Sequence, residues 1–132
     1  MTMAQVNDCN RDQFVETVGR AFERSLWVAE RAWRKRPFAS FDDLSTRLIR
    51  EVQTASPDEQ LAFLRAHDGL PGDDDYRKKF GFPFLYGVRD SDASTQMESL
   101  KRRLKSPHEQ EFQVALGHAF RIARFRLEDM IS

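Results

Sequence analysis

A chain of 132 residues is the size of one domain around one core. With 40% hydrophobic and 32% charged residues it has the composition of a folded globular protein rather than of a disordered tail. Its 21 Lys and Arg balance 21 Asp and Glu, which argues against a dedicated nucleic-acid binder, and its single cysteine, Cys9, excludes an intrachain disulfide and the multi-cysteine zinc sites.

Helical periodicity dominates the chain. A first helix, capped by Asn10 or Asp12, is expected to carry Phe14, Val15, Val18 and Phe22 on one stripe. A second follows Ser25, with Trp27, Val28, Ala32 and Trp33 as its buried face, and stops before Pro37. Its basic end, Arg31 to Arg36, reads as a solvated helix terminus where cations suit the macrodipole. Ser40 opens a third helix lined by Leu44, Leu48, Ile49 and Val52. The strongest start signal is Ser56-Pro57-Asp58-Glu59, a cap hydroxyl, a proline at the first helical position and a Glu placed to close a capping box; Leu61, Leu64 and His67 follow three apart. Phe80 to Val88 (FGFPFLYGV) is nine residues without a charge, and its two Gly and one Pro make a helix interior improbable there. Asp92 or Ser94 opens a helix to Leu104 with Met97, Leu100 and Leu104 inward, and Ser106-Pro107-His108-Glu109 launches a last helix to Met130, its stripe running through Phe112, Ala115, Leu116, Ala119, Ala123 and Leu127. No segment alternates with period two, so the expected fold is all-α, a single domain over residues 1–132 with six or more helices.

No apolar run reaches the roughly 20 residues that span a bilayer, and neither end carries a targeting signal, so the expectation is a cytoplasmic protein without a membrane partner. His67, His108 and His118 show no metal-ligand spacing, and Asp73-Asp74-Asp75 lacks the rest of a calcium loop, so no metal is expected. No phosphate-binding glycine loop and no nucleophile elbow is present. What remains is His67 at the end of a well-capped helix, either a catalytic group or a helix-end residue. Beside it stand an uncharged Gly/Pro/aromatic run with backbone N–H groups free for an anion, and Arg121, Arg124 and Arg126 on the last helix.

Four separated motifs then stand in order: Arg36-Pro37-Phe38; Leu64-Arg65-Ala66-His67; Tyr76-Arg77 leading into Phe80-Gly81-Phe82-Pro83-Phe84; and Ile122-Ala123-Arg124 with Arg126-Leu127 and Asp129. Together they resemble the decarboxylases of 2-oxo-4-hydroxy-4-carboxy-5-ureidoimidazoline (OHCU), over nearly the whole chain. The resemblance implies an all-helical homodimer that needs no cofactor and converts this small urate-derived molecule to (S)-allantoin with loss of CO₂. It puts the proton-handling acid on His67, ligand contacts on Phe84, Leu85, Tyr86, Gly87 and Val88, and a further ligand contact on Arg126.

The chain also departs from that pattern. Asp68 follows His67 where the family has Pro, and only twelve residues separate His67 from Phe80. The family's Ser-x-x-Glu-Gln motif, with its catalytic Glu, is absent, and no Glu lies between Glu59 and Glu98. A segment is therefore expected to be missing at the 67/68 junction. Either it is deleted and the active site incomplete, or, the reading favoured here, His67 and Asp68 are not true neighbours. The competing functions are a non-catalytic helical scaffold that kept the fold but lost the Glu-bearing segment, and a small helical regulator that binds a partner helix through its aromatic surface.

Overall fold

A computed structural model describes all residues, 1–132. Eight helices follow one another without a strand: α1 (Met3–Asp8), α2 (Arg11–Thr17), α3 (Trp27–Ala32), α4 (Phe41–Gln53), α5 (Pro57–Arg65), α6 (Asp74–Phe80), α7 (Ala93–Arg103) and α8 (His108–Met130). Short 3-10 turns at Val18–Ala21 and Trp33–Lys35 extend α2 and α3.

Local chemistry explains most of the starts. Asn10, Ser40, Ser56 and Asp92 each accept the backbone N–H of the residue three places on, a cap worth about 1 kcal/mol. At Ser56 the box closes, with Glu59 accepting the Ser56 N–H. Ser106 behaves differently. Its N–H donates to Arg103 O at 3.0 Å and closes α7, so α8 begins at His108 behind Pro107 with no side-chain cap.

Two short helices lie where the sequence carries no long apolar stripe. α1 is six residues long and buries only Val6. α6 buries Tyr76 and Phe80, four apart, and has Asp74 and Asp75 in its first turn and Arg77, Lys78 and Lys79 in its last, both favourable to the helix dipole. Gly81, at φ 81°, ends it in the left-handed conformation that glycine adopts without a Cβ penalty.

The long helix α8 is the spine. It packs against the 3-10 turn after α2 and against α4, α5 and α6, while α3 packs on α2 and α4. Its stripe Ala115, Leu116, Ala119, Ala123 and Leu127 is buried together with Phe14, Phe22, Leu44, Leu48, Phe63, Leu64 and Phe84. Each fully buried Phe or Leu contributes about 1.5–3 kcal/mol. Small alanines on one face of α8 let α5 and the 81–88 loop approach its backbone. Several apolar positions sit further out than expected, Ile49, Leu104 and Phe112 among them. Trp27 and Trp33 are only half-buried, each with an arginine over its ring, and Met97 is 39% exposed beside a shallow apolar groove formed with Leu70, Pro71 and Leu100. No helix is long and apolar enough to cross a membrane.

Candidate active site

His67 lies two residues beyond the last residue of α5, where the helix gives way to an irregular turn. It is not a surface residue: only 6% is exposed. Its Nδ1 lies 2.9 Å from the Phe63 carbonyl and its ring meets Phe63 edge-on at 5.0 Å. A carbonyl can only accept, so Nδ1 carries the proton and Nε2 is the nitrogen left for chemistry. Burial pushes the imidazole pKa below its ordinary value; the Phe63 carbonyl and the Glu23 carboxylate act against this, and Arg126 acts with it.

The 81–88 loop forms the facing wall and is tied down group by group. The Phe84 N–H donates to Asp73 Oδ2 (3.0 Å), the Leu85 carbonyl accepts from Arg103 Nη1 (2.7 Å), and the Gly87 N–H donates to His118 Nδ1 (2.9 Å). Arg103 is itself buried, paired at 2.7 Å with Glu111, which also accepts from the Tyr76 hydroxyl, and its guanidinium lies over the Phe84 ring. Burial and the Glu111 charge raise the Tyr76 pKa strongly, so the phenol stays protonated as a donor. The N–H groups of Leu85 and Tyr86 have no partner within the protein.

These two walls and α8 enclose a cavity of about 200 Å³, lined by Glu23, His67, Asp68, Gly69, Leu70, Phe84, Leu85, Tyr86, Ile122 and Arg126. Of the residues singled out from the sequence, His67, Phe84, Leu85, Tyr86 and Arg126 come together here. Gly87 and Val88 lie outside the lining. Gly87 is pressed on α8, where a Cβ would come within 2.6 Å of the His118 carbonyl, and Val88 is 47% exposed. Arg124 pairs with Asp42 and Glu128 on the outer surface. Nowhere do three His, Cys, Asp or Glu side chains assemble as a metal ligand set.

Glu23 is the residue that sequence reasoning missed. Its Oε2 lies 2.6 Å from Arg126 Nη1, and both side chains face the cavity. No spacing rule joins residues 23 and 126; only the packing of α8 on the turn after α2 does so. His118 also gains a role, since it stacks on Tyr86 and holds Gly87. Burial, with Arg103 and Arg121 nearby, lowers its pKa to about 4, so it stays a neutral acceptor. The arrangement thus offers a buried imidazole with one free nitrogen, a guanidinium, the carboxylates of Glu23 and Asp68, and aromatic walls.

Known proteins share this chain and fold. The family model for OHCU decarboxylase matches residues 7–75 and 71–128, two pieces that overlap near the start of α6. A 2-oxo-4-hydroxy-4-carboxy-5-ureidoimidazoline decarboxylase of Halalkalicoccus jeotgali is 34% identical, with 98% of this chain and 92% of that protein covered. One of Haloferax volcanii is 32% identical, over 100% of this chain and 97% of that protein. The first alignment is 161 positions long and this chain has 132 residues, so roughly thirty positions of the relative have no counterpart here. A crystal structure of (S)-allantoin synthase superposes with a TM-score of 0.89 at 26% identity, over 99% of this chain and 54% of that one; the chain spans about half that protein's length. The protein is a member of the OHCU decarboxylase family.

Proposed function

We propose that the protein decarboxylates 2-oxo-4-hydroxy-4-carboxy-5-ureidoimidazoline to (S)-allantoin in urate breakdown, without a cofactor and with His67 as the proton donor. The observation that carries this is the meeting of His67, Arg126 and the Phe84–Tyr86 wall in one cavity. The N–H groups of Arg126 not engaged by Glu23 are donors for a substrate carboxylate or oxo group. As the bond to the carboxylate breaks, CO₂ leaves and the electron pair passes to the neighbouring imine-like part of the ring. In this proposal the N–H groups of Leu85 and Tyr86, which no protein group accepts, donate to the charge that develops. Protonated His67 then gives its Nε2 proton to carbon on one face of the ring and regains it from solvent. Phe84 and Tyr86 hold a flat heterocycle and keep water from the intermediate.

Freshly generated substrate, with the circular dichroism of (S)-allantoin as readout, tests this. The protein is expected to exceed the spontaneous rate, and His67→Ala to lower turnover by about 10² to 10⁴. An unchanged rate in that variant removes His67 from the mechanism. No turnover by the parent chain favours the scaffold reading, which the missing thirty or so positions support.

Residues 1–132 form, in this proposal, one decarboxylase domain from which a segment is missing near His67 and Asp68. The enzyme acts as a homodimer in the cytoplasm. Intact mass against the 15.4 kDa of this sequence decides the first point, and sedimentation velocity the dimer.

A further inference from the structure

We infer that Glu23 supplies the carboxylate that pairs with Arg126 in this site, as a positioning residue that fixes Arg126 and sustains the charged form of His67. The inference rests on the decarboxylase reading above. Two consecutive residues of one tight turn, Glu23 and Arg24, bear on the surroundings of His67. Arg24, at φ 45°, is one of two non-glycine residues in the left-handed region, a conformation that persists only where its surroundings impose it. Its guanidinium donates to the Ala66 carbonyl (3.2 Å) and lies 3.7 Å from Asp68 Oδ1, so it grips the residues on either side of His67. Ser25 Oγ donates to the Glu23 carbonyl (2.8 Å), and the Glu23 side chain enters the cavity to meet Arg126 at 2.6 Å. Its side chain is 20% exposed, too enclosed for a casual surface pair, and in this cavity a paired carboxylate keeps the guanidinium in one place.

The charges facing His67 are Glu23 from the turn before α3, Arg126 from α8, and Asp68 beside it in sequence, already engaged by Arg24; Tyr86 presents its ring from the far wall. Arg126 works against an imidazolium and Glu23 works for it. With Glu23 neutral, the imidazolium loses its carboxylate and the His67 pKa falls. A step that needs imidazolium loses rate as pH rises through that pKa, so its alkaline limb moves to lower pH.

The test is Glu23→Gln, which keeps shape and removes charge, beside Glu23→Asp, which keeps charge with a shorter reach. Two readouts are followed in each: (S)-allantoin formation against pH, and the His67 titration by NMR without substrate. In Glu23→Gln, kcat is expected to fall about tenfold and KM to rise, since Arg126 is no longer held. The alkaline limb and the His67 midpoint both move to lower pH, and Glu23→Asp restores part of each. Wild-type kcat, KM and His67 midpoint in Glu23→Gln overturn the inference. So does an equal loss in both variants with an unmoved midpoint, the mark of a merely structural role. If the parent chain shows no turnover, the decarboxylase reading fails, and the NMR midpoint alone decides whether Glu23 governs His67. Should Glu23→Gln not fold, Glu23→Asp gives the same reading at smaller amplitude, with an unmoved midpoint and unchanged KM counting against the inference.

Discussion

The two walls of the cavity are built in opposite ways. The Phe84–Tyr86 wall is buried apart from part of Tyr86, and the polar groups of this wall and of Gly87 behind it are held by side chains that are themselves buried or half-buried: Asp73, Arg103 and His118. The Asp68–Leu70 wall has Asp68 exposed and Gly69 and Leu70 only half-buried, and its ties run to Arg77 and Arg24, on the surface. One wall draws its rigidity from charges placed in low dielectric, where an unpaired group costs several kcal/mol; the other relies on pairs that water screens. His67 stands at their junction, fixed by the first kind of contact through Phe63 and flanked by the second kind through Arg24. Arg126 and Glu23 are intermediate, enclosed but not sealed.

That contrast predicts a graded set of effects. The largest should come from Arg103→Met, which leaves Glu111 buried without its cation and frees the Leu85 carbonyl; a loss of about 3–5 kcal/mol in urea unfolding is expected. A loss under 1 kcal/mol would mean that the inner wall is not held by this network. Gly87→Ala comes next. Its Cβ would lie 2.6 Å from a helix carbonyl and 2.9 Å from Arg121 Cβ, so the loop must move off α8, costing about 1–3 kcal/mol and loosening Tyr86. An unchanged denaturation midpoint would show that the loop has room.

Acid should act on the same wall. His118 titrates near 4 folded and near 6.5 unfolded, so the unfolded chain binds more protons between those values. Stability is therefore flat above pH 6.5 and falls as pH drops toward 4. His67, also lowered, adds in the same sense. Since His118 is only partly buried, screening reduces its share to about 1–2 kcal/mol, and His118→Asn should flatten the slope correspondingly. Denaturation midpoints measured at half-unit steps from pH 7.5 to 4.5 check this; rising stability on acidification would refute it. The smallest effect belongs to the outer wall. Asp68→Ala breaks a 3.7 Å pair whose side chains are 68% and 83% exposed, and should leave the unfolding midpoint within about 0.5 kcal/mol of the parent. A larger loss would show that the Arg24 grip matters to the fold and would narrow the difference between the walls.

The same contrast explains what could be read in advance. Ser56, Ser40 and Asn10 announce their helices because a cap is a contact three residues long, complete within the sequence that encodes it. Ser106 carries the same letters but ends α7, its N–H donating to Arg103 O, and α8 starts at His108 without a side-chain cap. The period-3.6 stripe of α8 was legible for the same local reason, whereas α6, with only the Tyr76 and Phe80 pair over seven residues, was not.

His67 and the aromatic run could be singled out by residue type and motif, and Arg126 with them through the family pattern. Their company could not. No Glu stands between His67 and Phe80, and the glutamate that lines the cavity is Glu23, 44 positions before His67. The exclusion of Gly87 and Val88 from the lining likewise follows from Gly87 lying against α8. Sequence by itself determined the helical class, most helix starts and the chemical character of the site's groups, because these depend on contacts within a turn or two. Tertiary structure alone decided which charges share the cavity and which nitrogen of His67 is free. Burial and pairing across more than a hundred residues arise only when α8, α5 and the turn before α3 close on one another.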